Sequence, residues 1–348
     1  METVSQCRPN LLLAVSTMSF ALTTIPPSDA LKAKNKRHRE FAVSLFLFGL
    51  FIVGLIGIFS ATGWEEVQAQ LAKLSVAQVS VLLCLSLVNY ISRAIRWHIL
   101  VTRIQLPLKL RTNLLHFIGG FALSITPGRV GELVRLRWQS RLTGWPFLRL
   151  TSLPLVDRAL DMAAMGALLA LGVALTSGGV TGATPVAALA LIAAVVLTRP
   201  ALLEAVIEGL WRIINRGPRI FVRLRQAARS MALFSPAHII GPALALGFIG
   251  WFAEGVSLYM LLKWMGADIE LSLAVVIFLF STLAGGLTGA PGGIGGAEAA
   301  MVFLLHLNNV SMDVAVPATA VIRMTSLWFA IALGAVAFTI AEKQARKG

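Results

Sequence analysis

The chain has 348 residues, of which 57% are apolar and only 13% are charged, and its mean hydropathy is +0.80. Soluble domains average about 45–50% apolar and about 25% charged residues, so this composition excludes a soluble globular protein and indicates an all-α polytopic membrane protein. The formal charge of +14 does not indicate a nucleic-acid partner, because basic residues beside apolar segments set membrane orientation and meet anionic headgroups. Two cysteines and five scattered histidines predict no disulfide framework, no metal site and no cofactor.

Six apolar runs come close to the roughly 20 residues that a helix needs to cross a bilayer. They follow a basic tail, residues 1–40, that we expect to be disordered and cytoplasmic. The predicted full spans cover residues 41–60, 76–92, 151–175, 183–198, 237–262 and 314–340. Residues 41–341 are therefore expected to form a single transmembrane domain, with a short cytoplasmic tail over 342–348.

Two further apolar runs, 111–126 and 271–290, each end at a Pro-Gly motif. Lys and Arg residues are concentrated in the segments 31–40, 93–149, 199–230 and 343–348. The positive-inside rule places these segments, and with them both termini, in the cytoplasm. Run 111–126 then starts on the same side as the arginine-rich segment that follows it, so the chain must enter the membrane and return. The sequence thus predicts two re-entrant helical hairpins, one from each face.

The two Pro-Gly motifs belong to an internal repeat. Aligning "PGRVGELVR" with "PGGIGGAE" superposes the prolines and two glycines, and a glutamate follows in each motif. Arg158 and Arg323 then fall 31 and 32 residues after their respective prolines. The two halves, roughly 76–175 and 237–340, run in opposite directions, which is the inverted-repeat organisation of many secondary transporters. In such folds the substrate site lies where the repeats meet.

The connector between the halves, residues 199–230, is basic and amphipathic and is broken at Gly217-Pro218. Two interpretations remain open for it. It is either a linker whose positive charge fixes the topology or a surface that lies on the cytoplasmic leaflet and contacts lipid headgroups.

The proline and glycine residues of both motifs are candidate site residues. Broken backbone at membrane depth is tolerated only where it is buried in protein or lines a wet cavity. A helix that starts after each motif would aim its free N–H groups and positive dipole end at such a cavity, which favours an anionic headgroup. Close helix packing by small residues is the alternative explanation. The candidates are Pro127, Gly128, Gly131, Pro291, Gly292, Gly293 and Gly295.

Charged residues within the apolar segments are the second set of candidates, because an ionisable group at the bilayer centre costs about 2.5–3.5 kcal/mol on insertion scales and needs a partner or a function. Asp157 and Asp161 share a helix face at i and i+4. We expect Glu298 to pair with Arg323 and Glu132 with Arg158, either as structural ion pairs or as pairs that exchange with a headgroup. The remaining candidates are Arg93, Arg96, Arg129, Arg135 and Glu254.

These residues carry a family resemblance over about 40–340. The ordered set "RAIRW", "PGRVGELVR", "DRALD", "PGGIGGAE" and "IRMTSLW" resembles the lysylphosphatidylglycerol synthase transmembrane-region family, the flippase-like module of the bacterial multiple peptide resistance factor. One departure is Asp157, where Glu is the more usual residue, but a carboxylate is retained. The resemblance implies a membrane domain that moves or handles a lipid. The chain has no room for the aminoacyl-transferase domain of the full synthase, so we expect no lysyl-lipid synthesis by this chain alone.

The leading functional hypothesis is a lipid transporter of the inner (plasma) membrane that binds an anionic or zwitterionic headgroup between the two hairpins. An alternative is an intramembrane enzyme, or a non-transporting subunit of one, in a lipid, polyprenyl-glycan or hopanoid modification pathway; Asp157, Asp161, Glu254 and Glu298 could supply an acid or base. The expected partners are a membrane lipid and a separately encoded lipid-modifying enzyme. A homodimer would use the glycine-rich face of 271–290. The lipid, the direction of movement and the energy source stay open.

Overall fold

The structure is a computed structural model that describes residues 74–124, 126, 130–176, 183–214 and 218–347, together with Ala72. All of these residues belong to one unit, Leu50–Gly348. The predictions for the tail 1–40 and for the span 41–60 lie outside the described residues. So do three candidate site residues, Pro127, Gly128 and Arg129.

The described residues form thirteen α-helices and no β-strand. The helices are α1 (Val76–Arg103), α2 (Leu110–Gly120), α3 (Val130–Thr143), α4 (Phe147–Leu150), α5 (Ser152–Leu175), α6 (Ala183–Thr198), α7 (Pro200–Ile214), α8 (Pro218–Ala232), α9 (Ala237–Trp264), α10 (Leu271–Leu287), α11 (Gly296–Leu307), α12 (Met312–Arg323) and α13 (Phe329–Lys347). A 3₁₀ turn continues α2 over Phe121–Leu123, and a second precedes α11 over Pro291–Gly293. A π-helical turn, Met324–Trp328, joins α12 to α13.

Four of the helical stretches are long and apolar enough to cross a membrane: α1, α5, α9 and the continuous stretch Met312–Arg346. They correspond to four of the six predicted spans and confirm an all-α polytopic membrane protein. Helix α6 has 16 residues, fewer than the roughly 20 that a full span needs, so the span 183–198 stays a prediction. The re-entrant course of the hairpins and the opposite orientation of the halves also stay predictions.

The ends of the helices follow local rules of sequence. Helix α1 begins with a capping box in which the Ser75 hydroxyl accepts from the Gln78 amide at 3.2 Å and the Gln78 side chain accepts from the Ser75 amide at 2.8 Å. Such reciprocal bonds satisfy amide groups that the first turn would leave unpaired. Helix α8 begins at Pro218, a position where the missing N–H of proline has no cost.

The two halves meet most extensively where α1 packs along α9. A glycine permits this approach, since a Cβ atom on Gly250 would lie 3.3 Å from the Asn89 Cα atom. Helix α13 packs against α2 and the 3₁₀ turn that follows it. Here a Cβ atom on Gly334 would lie only 2.3 Å from the Ala122 amide nitrogen. Small residues thus let the backbones approach closely, as is usual at helix interfaces in membranes.

Each predicted hairpin region folds as a pair of contacting helices. We refer to Leu110–Thr143, with α2 and α3, as hairpin 1 and to Leu271–Leu307, with α10 and α11, as hairpin 2. In hairpin 1 the helices cross so closely that a Cβ atom on Gly131 would lie 2.1 Å from the Gly120 carbonyl oxygen. In hairpin 2 the chain turns through Gly292, Gly293 and Gly295, all of which have positive φ angles, a conformation that glycine adopts without steric cost.

Candidate functional site

A cavity of about 540 Å³ lies between the two hairpins. Its wall includes residues of hairpin 1, of hairpin 2, of the long helices α1, α5 and α9, and of the π-helical turn. The charged side chains that line it are Arg93, Arg135, Arg158, Arg323, Glu132 and Glu254. Within the described residues, no three His, Cys, Asp or Glu side chains are grouped as a metal site requires. Among the described residues, the charge of the cavity wall comes from four arginines and two glutamates.

The predicted candidates separate into two groups in the structure. Gly131, Gly292 and Gly293 line the cavity together with the six charged residues just named. Arg96, Asp157, Asp161, Gly295 and Glu298 are not among its lining residues. Pro291 begins the 3₁₀ turn of hairpin 2. The structure thus brings one described glycine of the first motif and two glycines of the second to one cavity, and several of the charges support its wall.

An ion cluster supports one side of the cavity. Arg96 is completely buried and donates to the Asp157 carboxylate at 2.7 and 2.9 Å and to Asp161 at 2.7 Å. The cavity residue Arg93 reaches the other oxygen of Asp161 at 3.1 Å. Trp251 Nε1 also donates to Asp161, at 3.0 Å. The i, i+4 spacing of the two aspartates therefore holds a buried arginine, and this cluster fixes the position of Arg93.

Both predicted ion pairs form, one in each half. Arg158 of α5 donates to the Glu132 carboxylate of hairpin 1. Arg323, at the end of α12, donates to Glu298 of hairpin 2 at 2.5 Å and to the Gly292 carbonyl oxygen at 2.9 Å. Each pair ties a hairpin to the long helix beside it, so corresponding residues of the repeat have corresponding partners.

The N-terminus of α11 differs from the expectation that its N–H groups are open to a headgroup. Glu298 turns back and accepts from the Gly295 amide at 2.7 Å. Its other oxygen holds Arg323. Because a glutamate at this position satisfies an amide of the first turn, the protein supplies its own anion at this helix end. At this helix end the Gly295 amide is therefore no longer available to a headgroup.

Arg135 is the unusual cation of the cavity wall. Its side chain is buried, with 4% of the residue exposed, and the guanidinium carbon lies 3.7 Å from the centre of the Trp97 ring and 4.5 Å from that of Phe117. Among the described residues it has no ion-pair partner, and its buried Nε has no hydrogen-bond acceptor. A guanidinium stacked on aromatic rings keeps its charge and its fork of N–H donors, which matches the geometry of carboxylate and phosphate groups.

Sequence reasoning missed several residues of this region. Tyr90 lines the cavity, and its hydroxyl donates to the carbonyl of Ser326 in the π-helical turn. Trp251, which holds Asp161, lines it as well. A usable signal was present in both cases, since Tyr90 lies three residues before Arg93 and Trp251 three residues before Glu254. An i, i+3 spacing places side chains on the same helix face.

Comparison with known proteins identifies the family. The lysylphosphatidylglycerol synthase TM region family matches residues 41–334, a range that contains every candidate residue. The chain belongs to this family. It is also 26% identical over 265 residues to a UPF0104 membrane protein of Methanothermobacter thermautotrophicus, covering 70% of the chain and 77% of that protein. A UPF0104 membrane protein of Methanocaldococcus jannaschii is 29% identical over 104 residues, 30% of the chain and 44% of that protein. The family match confirms the resemblance, and the relatives are membrane proteins too.

Proposed function

We propose that this member of the lysylphosphatidylglycerol synthase TM region family moves a lipid between the two leaflets of the membrane. The headgroup would be held in the cavity between hairpin 1 and hairpin 2. The observation that carries the proposal is Arg135, a buried cation in the wall of that cavity that forms no ion pair with any described residue. The acyl chains would stay in the bilayer throughout the movement.

The electrostatics of the cavity favour a headgroup with a negative phosphate. Arg93, Arg158 and Arg323 are each neutralised by a carboxylate of the protein, whereas Arg135 has no such partner among the described residues. The fork of N–H donors on a guanidinium matches phosphate geometry, and it is less strongly hydrated than an ammonium group. The phosphate of either an anionic or a zwitterionic headgroup would satisfy Arg135.

The size of the cavity is also consistent with a headgroup. Its volume of about 540 Å³ lies within the roughly 300–1,000 Å³ that is typical of small-molecule sites. A diacyl lipid as a whole would not fit there, but a phosphate with a small polar substituent would. Both hairpins contribute to the wall. A shift of either hairpin would therefore change the membrane face from which a headgroup can enter the cavity.

The proposed setting is the inner (plasma) membrane with both termini in the cytoplasm. The basic segments between the helices support this orientation. Within the proposal the chain is a transporter and performs no chemistry on the lipid, and a separately encoded enzyme would make or use that lipid.

The test is the movement of labelled phospholipids between leaflets of liposomes that contain the purified protein. Native protein is compared with Arg135→Gln and with Arg137→Gln, a matched control because Arg137 is an exposed residue of the same helix, α3. We expect native protein and the control to accelerate the movement of anionic or zwitterionic phospholipids. We expect Arg135→Gln to reduce the acceleration by about tenfold or more, since a hydrogen bond to a charged group contributes about 1.5–3 kcal/mol.

Two outcomes would contradict the proposal. One is equal rates for native protein and Arg135→Gln, which would remove the role of this side chain. The other is folded native protein that accelerates none of the phospholipids. Mass spectrometry of the same vesicles separates the alternative, because a chemically altered lipid would indicate an enzyme.

A further inference from the structure

Glu254 is a buried carboxylate of the cavity wall that has no arginine partner in the described part of the chain. It lies within α9 and is 2% exposed. It accepts one hydrogen bond, from the Ser86 hydroxyl at 3.3 Å, and forms no ion pair with any described residue. The other buried or half-buried carboxylates around the cavity differ in this respect, since Glu132, Asp157, Asp161 and Glu298 all pair with arginines.

The groups around Glu254 explain why it stays unpaired. Arg93 of α1 and Arg323 of α12 are close enough to attract it, but each is held by another carboxylate, Asp161 and Glu298 respectively. Tyr90 of α1 is the nearby neutral titratable group. Helix α5 contributes charges that are already engaged, and α10 has no titratable residue in its sequence. The engaged charges of α5 are Asp157, Arg158 and Asp161.

Without a nearby cation, burial raises the free energy of a carboxylate anion much more than that of the neutral acid. Neutral Glu254 would release its proton when water fills the cavity, or when the cavity closes to one face of the membrane and opens to the other. An anionic headgroup on Arg135 would add negative charge to the same cavity and favour the protonated form. By linkage, a proton on Glu254 would then favour binding of the anion.

We propose that Glu254 carries a proton through the membrane together with the lipid, so that a proton gradient drives lipid movement. On one side the carboxylate takes up a proton as the phosphate binds. On the other side the acid releases the same proton to water as the headgroup leaves. The inference rests on the proposed function and adds its energy source. A monoanionic lipid and one proton move as a neutral pair, so the movement is driven by the pH difference and not by the membrane potential.

The experiment uses liposomes of phosphatidylcholine that contain the native protein, a trace of acyl-labelled phosphatidylglycerol and a trapped pH-sensitive dye. Lipid movement is measured at equal pH on both sides and then with a difference of one pH unit. One proton per lipid predicts a steady-state ratio of the probe between leaflets of about tenfold, towards the side to which protons flow, because one pH unit corresponds to a tenfold ratio in equilibrium. Proton entry should accompany the lipid.

Glu254→Gln keeps the shape of the side chain but cannot carry a proton as a carboxylate does. We expect this variant to lose both the gradient-driven accumulation of the probe and the proton entry, whatever rate of movement it keeps at equal pH. Glu204→Gln is the control, since Glu204 lies on α7 away from the cavity lining. Ser86→Ala, which removes the hydroxyl donor, should retain the response but shift its dependence on pH.

The outcomes separate the two proposals. Native protein that does not move the phosphatidylglycerol probe at equal pH overturns this inference, and it overturns the proposed function as well if no other phospholipid is moved. Movement at equal pH with no response of the native protein to the gradient overturns only the role of the proton. The same holds for a Glu254→Gln variant that still concentrates the probe along the gradient. The response of the native protein to the pH gradient is sufficient to test the role of the proton, even where a variant does not fold.

Discussion

Arg96 and Arg135 are a matched pair of buried arginines with opposite environments, and the structure predicts opposite results for their removal. Arg96 is completely buried and holds two carboxylates, Asp157 and Asp161. Arg135 is 4% exposed and is stacked on aromatic rings, and no described carboxylate forms an ion pair with it. The same substitution by glutamine at each position should therefore distinguish a structural cation from a binding one.

The expected magnitudes follow from the partners that each substitution leaves behind. Arg96→Gln leaves Asp157 buried without a cation, since Asp161 keeps Arg93 but Asp157 has no other ion-pair partner among the described residues. Removing one member of a buried ion pair costs about 3–5 kcal/mol. Arg135→Gln loses a cation–π contact of roughly 0.5–2 kcal/mol. The burial of an unpaired charge also disappears, which offsets part of this loss, so the net change should be within about 1 kcal/mol.

The assay is unfolding of the purified variants by SDS in mixed micelles, followed by far-UV circular dichroism. The double variant Arg96→Gln/Asp157→Asn should recover part of the stability, because it removes the carboxylate that was left unpaired. Equal destabilisation by Arg96→Gln and Arg135→Gln would refute the reasoning. So would a double variant that is less stable than Arg96→Gln, since that result would mean that Asp157 stabilises the fold without its arginine.

Two further predictions concern the hairpins. Gly131→Ala should destabilise the protein by about 1–3 kcal/mol, because the added methyl would lie 2.1 Å from the Gly120 carbonyl oxygen. Gly209→Ala is the control and should not destabilise the protein, because an added methyl there would meet nothing within 4 Å. Equal thermal stability of the two variants in detergent would contradict this prediction. Glu298→Gln leaves a half-buried arginine unpaired and should cost about 1–3 kcal/mol in the same assay. The exposed ion pair broken by Glu204→Gln should cost less than about 1 kcal/mol, and a reversed order would contradict the prediction.

Several features of this protein could be predicted from its sequence alone because they depend on composition and spacing. Long apolar runs leave few alternatives to helices that satisfy their own backbone groups in the membrane. Four of the predicted spans are accordingly helices of the expected length. The pairs Glu132 with Arg158 and Glu298 with Arg323 could be inferred because a charge in an apolar segment needs a partner, and the repeat gave each charge an equivalent in the other half.

Other features depend on tertiary contacts and have no counterpart in local sequence. The π-helical turn at Met324–Trp328 is one example, since Tyr90, more than 230 residues earlier, donates a hydrogen bond to its backbone. The stacking of Arg135 is another, since the Trp97 ring comes from α1 and the Phe117 ring from α2.

The sequence by itself determined the membrane class, the helical fold and the set of charged residues, because the bilayer penalises every unpaired charge and every unsatisfied backbone group in the same way wherever they occur. Only the tertiary structure decided which charges remain without a partner. Arg135 and Glu254 resemble the other candidates in sequence, and they differ because neither forms an ion pair with any described residue of another helix. Pairing depends on distances between helices that are remote in the chain, and those distances are fixed by packing.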